Sequence, residues 1–130
     1  FSLRLINTSR EVVDENLYWL PDGNGNYSGL QQMPAAAVTI TARKAAADSI
    51  LVTISNPAGG PVAFFNRISL VDAQQHKRIL PVFYSDNYLS VLPGEKRTVS
   101  ISGEAVKAHK DAEVEVYGHN VKKQLLTAGF

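Results

Sequence analysis

The chain has 130 residues, no cysteine, 45% hydrophobic residues and a formal net charge of +1 from 13 basic and 12 acidic side chains. That length and apolar content suit one ordinary core, and the near-neutral charge leaves no electrostatic footprint for nucleic acid or an anionic membrane. The missing cysteines exclude a disulfide framework, a thiolate zinc site and a cysteine nucleophile, and no apolar run reaches the roughly 20 residues of a membrane helix.

Along the chain, Leu3 and Leu5 alternate with Ser2 and Arg4, the period-two signature of a half-buried strand. Leu17-Tyr18-Trp19-Leu20 is apolar on both faces, as expected of a strand near the centre of a sandwich or beneath a neighbouring domain. Pro21-Asp22-Gly23-Asn24-Gly25 reads as a turn. The alanines at 35–37 and 45–47 tolerate helix, but Pro34 and the β-branched stretch from Val38 to Thr41 interrupt any amphipathic stripe. At most a short helical turn near Ala45 is expected. Val38 and Ile40 alternate with Thr39 and Thr41, and Ile50, Val52 and Ile54 with Thr53 and Ser55. A second turn follows from Asn56 to Pro61.

Ile68 and Leu70 continue the alternation before a turn from Asp72 to His76. Ile79-Leu80-Pro81-Val82-Phe83 is again apolar on both faces, and Pro81 removes a ladder donor, so this strand should be bulged or at an edge. Leu92-Pro93-Gly94-Glu95 suits a type II turn, with Pro93 fixing φ and Gly94 taking a positive φ. Val99 and Ile101, then Val114 and Val116, complete the series. Clean alternation means antiparallel sheet with one face covered. Seven or more short strands with turn signals roughly 8–12 residues apart predict an all-β, immunoglobulin-like antiparallel β-sandwich spanning residues 1–130 as one domain.

Chemistry-bearing constellations are few. Tyr84-Ser85-Asp86-Asn87-Tyr88 is the most site-like, because two aromatic faces with a carboxylate and an amide can hold sugar hydroxyls. The same residues can form an Asx-type turn that caps its own backbone while the tyrosines pack on neighbours. Glu113 and Glu115 share a strand face at roughly 7 Å and alternate with valines, which reads as a solvated face rather than a catalytic pair. Asp22-Gly23-Asn24-Gly25-Asn26 imitates the first half of a calcium loop. Tyr27 and Met33 then occupy the positions of its glycine and its bidentate acid, leaving a hairpin tip. His76, His109 and His119 lack metal-ligand spacing, so no metal or cofactor is expected. Asn7-Thr8-Ser9 and Asn26-Tyr27-Ser28 satisfy the glycosylation sequon.

The stretch from Asn56 to Ser102 also carries a resemblance. Ala63-Phe64-Phe65-Asn66-Arg67, Leu80-Pro81-Val82-Phe83-Tyr84-Ser85-Asp86-Asn87-Tyr88 and Leu92-Pro93-Gly94-Glu95 resemble the C-terminal immunoglobulin-like domain of glycoside hydrolase family 2 enzymes, of the exo-β-D-glucosaminidase and β-mannosidase type. Val116-Tyr117-Gly118-His119-Asn120-Val121 is similar to that domain's closing strand, with His119 where the pattern has a tryptophan, and Asn16-Leu17-Tyr18-Trp19-Leu20 to an early one. The resemblance implies a parent enzyme whose central TIM barrel carries two carboxylates for retaining hydrolysis of a β-glycosidic bond. No such barrel fits in 130 residues.

This chain is therefore expected to be a non-catalytic accessory domain, its ends at Phe1 and Phe130 set by trimming of a longer product. Its expected partners are the catalytic barrel and other β-sandwich domains of the same polypeptide and, through the parent enzyme, an oligosaccharide. Tyr84, Ser85, Asp86, Asn87 and Tyr88 would border the barrel as interface or as an outer wall of its pocket. The family's polysaccharide-degrading habit implies a periplasmic or extracellular location. The aromatic set Tyr18, Trp19, Tyr27, Phe64, Phe65, Phe83, Tyr84 and Tyr88 leaves open a free-standing carbohydrate-binding β-sandwich or a structural or adhesion domain. Trp19 amid Leu17 and Leu20, and Phe64 and Phe65 on opposite faces, favour core or interdomain roles instead.

Overall fold

The computed structural model describes residues 1–129, which fall into two compact units, Phe1–Met33 and the chain from Pro34 onward. The first is a hairpin with an appended loop: β1 (Ser2–Ile6) pairs antiparallel with β2 (Val12–Leu17), and a 3₁₀ turn spans Ser28–Gln32. Asn7 closes the hairpin by accepting the Glu11 N–H on Oδ1 and donating from Nδ2 to the Glu11 carboxylate. Two expectations fail here. Leu3 and Leu5 are exposed, because a two-stranded ribbon has no second layer of its own to bury a face. The segment from Leu17 to Leu20 is no central strand either. Pairing stops where Tyr18 and Phe1 exchange backbone hydrogen bonds, and Tyr18, Trp19 and Leu20 run exposed into the Asp22 turn.

The sandwich is the second unit. One sheet has the order β3 (Thr39–Ala46), β4 (Ser49–Ser55), β8 (Lys96–Ser102), β6 (Phe83–Tyr84). The other has the order β10 (Gln124–Thr127), β9 (Ala112–Tyr117), β5 (Ala63–Asp72), β7 (Leu89–Val91), and every pairing is antiparallel. The alternating residues meet in one core: Ile50, Val52 and Ile54 of β4, Val99 and Ile101 of β8, Ile68 and Leu70 of β5, and Val114 and Val116 of β9. Fully burying each such side chain contributes about 1.5–3 kcal/mol, which makes this period-two pattern the main specification of the fold. The ten strands, eight of them in the sandwich, agree with the all-β, immunoglobulin-like expectation.

Local expectations divide. Gly94 takes φ +81° and the Glu95 N–H donates to the Leu92 carbonyl at 3.0 Å, as the Pro-Gly turn requires. Ala45 lies in β3, not in a helical turn, since the ladder to β4 satisfies its neighbours' backbone. The helix is elsewhere, as α1 (Glu104–Ala108), which seats Val106 in the core. Only one of its five residues is buried, too little periodicity to read. The apolar run from Ile79 to Phe83 is not a two-faced strand. Ile79 is buried and its N–H donates to the Leu70 carbonyl, Leu80 is exposed before a cis bond to Pro81, and only Phe83 and Tyr84 pair, as edge strand β6. The edge position is the one that Pro81 called for.

Candidate functional site

The five residues from Tyr84 to Tyr88 lie between β6 and β7, and the fold splits them by role. Tyr84 is half-buried against the core, and its hydroxyl accepts the Leu70 N–H at 2.9 Å. Burial of the phenol raises its pKa above the ordinary value, opposed more weakly by that hydrogen bond and by Arg78 and Arg67. Ser85 exchanges hydrogen bonds with the Ser100 backbone of β8. Asn87 grips β5 from both sides, accepting the Ile68 N–H at 2.8 Å and donating to the Ile68 carbonyl at 2.9 Å. It mimics a strand neighbour where β7 has not yet begun. Asp86 and Tyr88 remain outward. The Asp86 carboxylate is exposed and, among the described residues, accepts the Asn87 N–H, and Tyr88 is 50% exposed with φ +55°.

A second strained residue meets Tyr88. In β5 the register to β7 shifts between Ala63 and Asn66, so Phe64 and Phe65 bulge out of the ladder. Phe64 is buried, outside the main apolar core, with its ring 6.0 Å from that of Phe65. Phe65, at φ +54°, turns outward, 41% exposed, with its ring centroid 5.3 Å from that of Tyr88. A positive φ on an aromatic residue costs on the order of 1–3 kcal/mol and persists only where surrounding bonds enforce it. Here the Ser90 hydroxyl accepts the Phe65 N–H. Asn120 accepts the Phe64 N–H and donates to the carbonyls of Pro34 and Val62. Buried Asn66 donates to the carbonyls of Ala63 and Leu89.

Facing this pair, Arg67 of β5 stands opposite Tyr117 of β9, donates to its hydroxyl at 2.6 Å and lies 5.5 Å from its ring centroid. Gly118 lets the chain pass against β5, and the His119 ring meets Phe64 edge-on at 6.0 Å. Phe65, Arg67, Tyr88, Tyr117, Gly118 and His119 line one shallow surface pocket of about 300 Å³. Aromatic residues and arginine are among the residue types enriched at protein interfaces. Sequence reasoning found Tyr88 but missed Arg67 and Tyr117 as companions, since only the β5–β9 register brings them together.

The remaining candidates are accounted for locally. Glu115 is buried and pairs with Lys123 of the neighbouring edge, which corrects its expected place on a solvated face. Glu113 stays partly exposed, 3.7 Å from His76. The Asp22 carboxylate accepts the N–H groups of Asn24 and Asn26, a hairpin-tip arrangement. Among the described residues no group of three or more His, Cys, Asp or Glu side chains could hold a metal ion, and no helix is long and apolar enough to cross a membrane.

Two four-stranded antiparallel sheets over a single apolar core, with a strained aromatic patch on one face, define an immunoglobulin-like β-sandwich domain. A family model described as the exo-β-D-glucosaminidase Ig-fold domain matches residues 16–121, and the chain belongs to that family. Exo-β-D-glucosaminidase of Streptomyces avermitilis is 30% identical over 97% of this chain, and that of Arthroderma benhamiae 28% identical over 95%. The mannosylglycoprotein endo-β-mannosidase of Lilium longiflorum is 30% identical over 78%. The crystal structure of Amycolatopsis orientalis exo-chitosanase CsxA superposes with a TM-score of 0.74 at 28% identity, covering 95% of this chain and 17% of that one. The chain spans 16% of the two glucosaminidases and 11% of the mannosidase. Its relatives are thus much longer glycoside hydrolases.

Proposed function

We propose that this domain is a non-catalytic accessory module of a family 2 exo-acting β-glycosidase, found in the periplasm or outside the cell. It packs against the catalytic barrel through the Phe65–Tyr88 patch and borders the pocket with Asp86. The supporting observation is the division of labour in the loop from Tyr84 to Tyr88. Tyr84, Ser85 and Asn87 are consumed by backbone hydrogen bonds, whereas Asp86 and Tyr88 are held outward on a clamped and strained frame. A fold that needed only a turn there has no use for two left-handed aromatic residues in contact. Similarity to exo-β-D-glucosaminidases supplies the substrate class, a β-linked amino-sugar oligosaccharide whose ammonium suits the Asp86 carboxylate.

Kinetics of the intact enzyme test this reading. Asp86→Ala should lower kcat/KM by about tenfold, the effect of losing one hydrogen bond between charged groups. Folding stability should hold steady, because Asp86 is exposed. Unchanged kinetics would reduce the loop to turn chemistry. An immunoblot of source cells should show the domain in a band several times heavier than 14.2 kDa.

A further inference from the structure

Across the outer face of β5 and β9 the charges pair unevenly. The antiparallel register sets Arg67 opposite Tyr117, Ser69 opposite Glu115 and Val71 opposite Glu113, so the two glutamates and the tyrosine share one face of β9. Three basic groups meet this row. Lys123 pairs with Glu115, and His76 lies 3.7 Å from Glu113. Arg67 has no carboxylate partner among the described residues; its neighbour in the row is the Tyr117 hydroxyl, which accepts one guanidinium N–H at 2.6 Å.

That hydroxyl is a weak substitute for an acid. A guanidinium carries five N–H donors in a planar fork and stays charged, and a carboxylate that accepts two of them at once is its strongest partner. Arg67 is half-buried, 5.5 Å from the Tyr117 ring centroid. A cation drawn partly out of water without a counter-ion is costly, so this site favours an incoming anion. Because the Tyr117 hydroxyl accepts from Arg67, its own proton is available to the same anion. Both groups line the pocket beside Tyr88, which has no carboxylate in its wall. Its volume of about 300 Å³ is at the lower end of ligand-sized pockets, room for one side chain rather than a length of backbone.

We propose that the pocket at Arg67 and Tyr117 receives the carboxylate of one aspartate or glutamate from the rest of the parent polypeptide, with Arg67 donating two N–H bonds and Tyr117 its O–H. The choice of occupant rests on the reading above that this patch packs against the catalytic barrel; the demand for a carboxylate rests on the charge pairing of the sheet face.

Two measurements test it. Phenylglyoxal, an arginine-specific dicarbonyl, should modify Arg67 of the 130-residue chain, followed by peptide mass spectrometry. Sodium acetate should slow that reaction about threefold or more relative to sodium chloride at equal ionic strength, since only the carboxylate takes the fork. In the intact parent enzyme carrying Arg67→Lys, which keeps the charge, a carbodiimide should join the introduced amine to an aspartate or glutamate outside these 130 residues. The carbodiimide takes up one carboxylate oxygen and leaves as its urea while the amine loses a proton and the amide forms, so the product marks groups in direct contact. Enzyme denatured beforehand should give none. Equal slowing by acetate and chloride overturns the proposal, as does a folded enzyme in which position 67 stays uncoupled or couples only within this chain. Should Arg67→Lys fail to fold, the unaltered enzyme decides: Arg67 reacting with phenylglyoxal about tenfold more slowly there than in the chain supports the proposal, and equal rates overturn it. Each overturning result leaves the accessory-domain reading standing, since that reading is decided by the kinetics of Asp86→Ala and the immunoblot.

Discussion

Gly118 is irreplaceable for a steric reason. A Cβ there would sit 2.6 Å from Asn66 Oδ1 and 2.8 Å from the Phe64 carbonyl. Neither can retreat, because Asn66 is buried and held by two carbonyls, and Phe64 O accepts the His119 N–H at 2.9 Å. Gly118→Ala should cost about 2–3 kcal/mol, read as a lower denaturation midpoint at unchanged slope. Asn120 is its counterpart in polarity. One side chain joins Pro34, Val62 and Phe64, so Asn120→Ala leaves a part-buried N–H and a part-buried carbonyl short of partners and an exposed carbonyl to water. A loss of about 2–4 kcal/mol is expected, with Asn120→Asp no better than alanine because it aims charge at two carbonyl oxygens.

At the scale of elements, β5 is the organiser. It pairs with β9 on one side and β7 on the other, and it is gripped by Asn87 and Tyr84 where β7 does not reach. Tyr84→Phe keeps the ring but removes the acceptor for the Leu70 N–H, at a cost of about 1–2 kcal/mol. The variant should also change the alkaline limb. The phenol's pKa is raised in the folded protein, so its stabilisation is complete below the ordinary value of 10.0 and is lost as pH rises toward the folded value. The difference in stability between parent and Tyr84→Phe should therefore shrink above pH 10. A difference independent of pH would show that burial of this hydroxyl does not govern its titration.

For the whole molecule, burial is unevenly distributed. No residue of the first unit is buried, whereas β4, β5, β8 and β9 contribute most of the fully buried side chains. Native-state hydrogen exchange should thus be slowest in those four strands, with protection near the global unfolding free energy. It should be fastest in residues 1–33, apart from their hairpin bonds. Uniform protection across both units would contradict this. The exo-β-D-glucosaminidases of which this chain spans 16% are about six times longer.

Much of this was legible in the residues themselves. Period-two valines and isoleucines determined which strands form and which face each buries, because a one-residue slip would turn every core side chain to solvent. Pro93 and Gly94 determined their turn, Pro81 confined its strand to an edge, and the motifs around Phe64, Phe83 and Leu92 carried the family. The loop from Tyr84 to Tyr88 stood out by composition. Tertiary structure alone decided which of its members are structural, because the partners of Asn87 and Tyr84 lie 19 and 14 residues away on β5. It also decided that Phe65 points outward, since a bulge depends on how two strands register and leaves no mark in local periodicity. The exposure of Tyr18 to Leu20 was likewise settled in space. An apolar run records that burial would be favourable, whereas a second layer must be present to provide it.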